Sequence, residues 1–141
     1  MGAILGAAAL VPVAYAQEKV EPEKNLQKAL DTIGDDNAAT PDRVRAITLA
    51  GNMTNLTSDE KIAGKKEAYR KALDAALRAL GSKQPRTEDQ EKVATAGFGA
   101  IGSFFGKGFP ELAKVAKPFL QKPARVETRL KALSAIEKAG G

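Results

Sequence analysis

At 141 residues, with 43% hydrophobic and 28% charged side chains, the chain has the length of one domain and the composition of an ordinary globular protein. It has no cysteine, histidine or tryptophan, which excludes disulfides, thiolate metal sites and cysteine nucleophiles. It also removes the commonest neutral-pH base and the commonest zinc ligand. That inventory predicts a protein that is not an enzyme, holds no metal or cofactor and has no small-molecule substrate.

Residues 1–16, MGAILGAAALVPVAYA, carry no charged side chain, and charge begins abruptly at Gln17-Glu18-Lys19. The apolar stretch is short of the roughly 20 residues a spanning helix needs. It suits the h-region of a secretory signal, with Ala14-Tyr15-Ala16 as a small-x-small cleavage site. The expected address after cleavage is periplasmic or secreted.

From Pro22 onward, apolar residues recur at three and four, the helical period, between Gly and Pro stops, and no run alternates as a strand would. The first predicted helix runs from Pro22 to Gly34, with Leu26, Ala29, Leu30 and Ile33 inside. A polar connection leads to Thr40-Pro41, a cap followed by proline at the first helical position, and Val44, Ile47 and Ala50 carry a second helix. Thr57 with Glu60 reads as a capping box for one long helix to Gly81, with Ile62, Tyr69, Leu73, Ala76, Leu77 and Leu80 inward. Glu67 to Lys71 and Asp74 to Arg78 are its outward acid–base pairs. Thr87 with Gln90 repeats the box, and Val93, Ala96, Ala100, Ile101 and Phe104 line a fourth helix. Pro110 opens a fifth, with Leu112, Val115, Ala116 and Phe119 inward. Pro123 opens a sixth, whose inner face is Val126, Leu130, Leu133 and Ile136. The fold expected is all-α, six helices in antiparallel hairpins.

Pro41-Asp42-Arg43-Val44 and Pro123-Ala124-Arg125-Val126 lie two periods of 41 residues apart, the length of a two-helix repeat. Thr40 to Ile47 resembles the opening of a HEAT-repeat first helix, and Pro123 to Leu133, followed by Ala135-Ile136 and Gly140, resembles it more closely. Phe109-Pro110-Glu111-Leu112 resembles the opening of a second helix in such a repeat. The resemblance implies a short HEAT-like α-solenoid over residues 41–141 that binds macromolecules through a continuous surface. Residues 17–40 then form an N-terminal helix and linker.

Gly97-Phe98-Gly99-Ala100-Ile101-Gly102 spells G-x-G-x-x-G, but it follows a charged helical segment and not a strand. It is therefore predicted to serve close helix approach and not a dinucleotide. Val93 to Gly106 is uncharged, and four of the five phenylalanines fall between residues 98 and 109. The segment is predicted to be a central helix packed on both sides. Charge is the last asymmetry. Residues 17–106 hold 14 basic and 14 acidic side chains, whereas residues 107–141 hold eight basic and three acidic, which is the whole net charge of +5. A binding surface is therefore predicted at Lys107, Lys114, Lys117, Arg125 and Arg129. The function expected is an exported binding or scaffold module for a protein partner with an acidic surface. The alternative is a peripheral binder of anionic membrane, using the basic patch with Phe104 or Phe105 exposed. Nucleic acid is disfavoured by the export signal and by the scarcity of aromatic residues for base stacking.

Overall fold

The computed structural model describes residues 22–140; the leader expected at residues 1–16 lies outside them. The described chain is helical throughout, with no strand. Its helices are α1 (Pro22–Ile33), α2 (Thr40–Leu56), α3 (Glu60–Ala63), α4 (Lys66–Gly81), α5 (Glu88–Phe104), α6 (Leu112–Ala116) and α7 (Val126–Ala139), with a 3-10 turn (Lys117–Phe119) continuing α6.

Helices α1, α2, α5 and α7 are successive neighbours, α4 packs against α1, α2 and α5, and α6 joins α4 to α7. The arrangement follows from which faces are apolar. In α1, Leu26, Ala29, Leu30 and Ile33 are all buried, and in α4 so are Tyr69, Leu73, Ala76, Leu77 and Leu80. They join Ile47, Val93, Phe98, Ile101, Phe109, Leu112 and Phe119 in one core. Helix α2 is central and admits polar groups only where they bond. The buried Arg43 donates from Nε and Nη2 to the Ile33 carbonyl, at 3.2 and 2.9 Å, so α2 supplies the donor that the end of α1 lacks. The Tyr69 hydroxyl donates to the Ile47 carbonyl at 2.7 Å.

Four expectations are corrected, the face of the last helix among them. The long third helix is two: Gly64 and Lys65 separate α3 from α4, and the cap of α3 is Asp59, whose carboxylate accepts from the Lys61 N–H. Thr57 instead accepts from the Asp59 N–H, a local turn that competes with helix capping. Outward on α4, Asp74 pairs with Arg78 at 3.0 Å as its spacing predicts, but Glu67 pairs with Arg70 and not with Lys71. The fifth and sixth helices start later than their prolines. Glu111 precedes α6 in a left-handed conformation (φ 58°), and α7 begins at Val126.

The largest correction is the face of α7. Thr128, Ala132, Ala135 and Ala139 are buried, whereas Val126, Leu130 and Leu133 are 59%, 61% and 53% exposed, and Ile136 is only half-buried. The physical reason is space. A Cβ at Gly102 of α5 would come within 3.9 Å of the Ala135 Cα, and side chains no larger than alanine or threonine fit so close an approach.

Candidate binding surface

The five predicted basic residues lie on three elements. Lys107 follows α5, Lys114 and Lys117 sit on α6 and the 3-10 turn, and Arg125 and Arg129 flank the start of α7. Lys107, Lys114 and Lys117 are exposed. Lys114 lies 3.7 Å from Glu111, and Arg125 3.2 Å from Glu88 across to α5. Arg129 is half-buried, and its Nε finds no acceptor.

Beside them runs the stripe that sequence reading placed inside. Val126, Leu130 and Leu133 follow one another at i, i+4 and i+7, so they share one side of α7. The buried Thr128, Ala132, Ala135 and Ala139 occupy the opposite side. Glu137 continues the exposed stripe one turn on and is itself exposed. Between α5 and α7 the surface is grooved. A cleft of about 400 Å³ is lined by Val44, Lys92, Thr95, Arg125 and Thr128 among others. An adjoining one of about 330 Å³ is lined by Thr95, Glu127, Leu130, Lys131 and Ser134. Leu130 thus belongs to both stripe and groove.

Beneath the groove lies a polar cluster that the periodicity does not reveal. Glu91 is buried on α5. Its Oε1 accepts from the Thr128 hydroxyl at 2.6 Å and from the Arg125 N–H at 3.0 Å, and its Oε2 accepts from Arg86 Nε at 2.5 Å. Arg86 also donates to the carbonyls of Lys83 and Pro118, and its guanidinium lies 4.4 Å over the Phe119 ring. Thr95 and Thr128 are 3.1 Å apart, hydroxyl to hydroxyl. Burial pushes the Glu91 carboxyl pKa up, but the hydrogen bonds from Thr128, Arg125 and Arg86 and the guanidinium charge outweigh it, and the pKa is lowered. Every partner is satisfied within the chain, so the cluster fastens the start of α7 to α5 and to the turn after α6. The only sequence signal for it was an acid in the first turn of a capped helix, and its partners lie up to 37 residues away.

The aromatic segment is packed. Phe98, Phe109 and Phe119 are buried, and Phe104 and Phe105 lie half-buried against the core. Tyr69 stacks on Phe105 at 5.7 Å and meets Phe104 edge-on at 6.3 Å. The G-x-G-x-x-G stretch is continuous helix in α5. A Cβ on Gly97 would stand 3.2 Å from Leu77, whereas Gly99 has open space. Among the described residues, no helix is long and apolar enough to cross a membrane, and no three acidic, histidine or cysteine side chains gather to hold a metal ion. No protein-family model, curated protein or solved structure matches the chain.

Proposed function

We propose that this chain is an exported, non-enzymatic helical module that binds a protein partner with an acidic surface through its basic C-terminal third, around Lys107, Lys114, Lys117, Arg125 and Arg129. The observation that carries the reading is the confinement of the net positive charge to residues 107–141, with Lys107, Lys114, Lys117 and Arg125 standing exposed. Such a patch steers an oppositely charged surface and sets its association rate.

The reading includes a short HEAT-like solenoid. Its support is the succession α2, α5, α7 on one side, with α4 and α6 packed behind. The two sequence signatures differ in use, however. Arg43 is buried and bonds the preceding helix, whereas Arg125 precedes α7 and reaches Glu88.

The test is binding to poly-L-glutamate, followed over rising salt. The wild-type protein is expected to bind and to release as salt shortens the screening length from about 10 Å at 0.1 M toward 3 Å at 1 M. A variant carrying Lys107→Glu, Lys114→Glu and Lys117→Glu, still helical by circular dichroism, is expected to lose that binding. Unchanged affinity in the triple variant would overturn the assignment. Export is checked separately by intact mass from the native cell, where Gln17 is the expected first residue.

A further inference from the structure

We infer that the exposed stripe Val126, Leu130 and Leu133 on α7 is the docking seat for one amphipathic helix of an acidic partner, lying along α7 and extending the row α1, α2, α5, α7. The inference rests on the proposed protein-binding function and names the contact.

Three aliphatic side chains at i, i+4 and i+7 are the anchor spacing by which one helix grips another. They stand on the side of α7 opposite Thr128, Ala132 and Ala135, which face α5. A helix laid on the stripe therefore meets α7 on the side away from α5, through larger side chains. Surface leucines are ordinary when scattered; these are aligned on the outermost helix of a row.

Charge decides the occupant. Around the first half of α7 stand Lys122, Arg125, Arg129 and Lys131 against Glu127 and, from α5, Glu88, which pairs with Arg125, and among the described residues Lys122, Arg129 and Lys131 have no acidic group within ion-pair distance. The amino-terminal end of the helix dipole adds positive potential there. A second copy of this chain would set that charge against itself. A bilayer would have to take in Glu137, which lies on the same face one turn beyond Leu133, and the stripe has no aromatic residue to seat at the interface. An acidic helix with aliphatic residues at matching spacing meets neither objection. Its carboxylates face Lys122, Arg129 and Lys131, and its one favourable base faces Glu137.

The test uses three synthetic helical peptides of about 18 residues, long enough to hold helical structure. They share one leucine stripe and differ only in flanking residues: glutamate, glutamine or lysine. Titrated into the full chain and followed by ¹H–¹⁵N spectra and calorimetry, the glutamate peptide is expected to bind most tightly and the lysine peptide at least tenfold more weakly, with shifts centred on α7. The pair Leu130→Asp and Leu133→Asp, at exposed positions that leave the core intact, is expected to weaken the glutamate peptide at least tenfold. Equal affinity in that variant overturns the inference. If the Lys107, Lys114 and Lys117 reversals then abolish binding, the broader function stands without the stripe. No binding of any peptide at millimolar concentration overturns the inference, as does a dimer in sedimentation equilibrium that the double variant dissolves. Wild-type co-sedimentation with phosphatidylserine–phosphatidylcholine vesicles that the double variant loses would give the surface to a membrane instead.

Discussion

Substituting Glu91 by alanine removes the acceptor at the centre of a buried cluster, and the geometry bounds the cost. Breaking a buried ion pair by deleting one partner costs about 3–5 kcal/mol, because the other charge is left uncompensated. Here Arg86 keeps the carbonyls of Lys83 and Pro118 and the face of Phe119. Thr128 keeps Thr95 within 3.1 Å, and the Arg125 N–H belongs to a bond that is only partly buried. The expected loss is therefore at the lower end, about 3 kcal/mol. Glu91→Gln retains an oxygen for Thr128 and Arg125 but not the charge, and is expected to cost about 1.5–2 kcal/mol, the worth of a charge-assisted bond less its neutral replacement. In urea at neutral pH, with a slope of about 1.5 kcal/mol/M, the alanine variant should unfold about 2 M earlier with unchanged slope. Adding Arg86→Ala should cost much less than the sum of the two single changes, giving a coupling of about 1.5 kcal/mol or more. An alanine variant within about 1 kcal/mol of wild type, or additive single losses, would show that the cluster is a bystander.

The same carboxyl makes stability depend on pH. Its folded pKa lies below the ordinary value, so its contribution is full above the unfolded pKa and lost as pH falls through the folded one. Wild type and Glu91→Gln should therefore converge in urea midpoint on going below about pH 4. Tyr69 behaves in the opposite sense. Burial raises its pKa well above 10, so its contribution is present below the unfolded value and lost at higher pH. Absorbance at 295 nm in a Tyr15→Phe variant should show no phenolate near pH 10 until the protein unfolds. Gly51→Ala places a Cβ against the Phe104 ring and 2.8 Å from the Tyr69 hydroxyl. The overpacking of about 1–3 kcal/mol exceeds the helix propensity gained, and calorimetry should show Tm falling by several degrees; a rise would contradict the packing. Leu133→Gln on α7 should leave the urea midpoint within about 0.5 kcal/mol of wild type, as exposed substitutions do, and a loss near that of a core leucine would mean the side chain is covered.

The helices whose inner faces are large were legible from period alone: α1 with Leu26, Leu30 and Ile33, and α4 with Tyr69, Leu73, Leu77 and Leu80. The cap of α5 was legible too, because Thr87 and Gln90 bond each other's backbone N–H locally. Helix α7 was not legible in this way because its larger hydrophobic side chains do not mark its inner face. Its leucines face out since the inner position is set by proximity to Gly102 and by the bond from Thr128 to Glu91, contacts that span tens of residues. The candidate surface was legible in its charge, which is a matter of composition along the chain, but not in its apolar part, which depends on that rotation of α7. Arg86 and Glu91 read as loop and first-turn charges, and nothing local distinguishes a solvated pair from a buried one.

A helix with alanines on one side and leucines on the other would, by the hydrophobic effect alone, turn over. What prevents α7 from doing so is a polar key set beside a narrow seat. The Thr128 hydroxyl fits the Glu91 carboxylate, and a half-turn would set leucine against that carboxylate and leave its Oε1 without the hydroxyl, with Arg86 still on Oε2. The narrow seat opposite Gly102 adds a steric refusal, since a leucine cannot enter where an alanine backbone already lies within 3.9 Å of a glycine's missing methyl. Thr128→Val, nearly the same shape without the hydroxyl, removes the key and leaves the lock. The azimuth of α7, more than its presence, is then what this hydroxyl and the seat at Gly102 determine together.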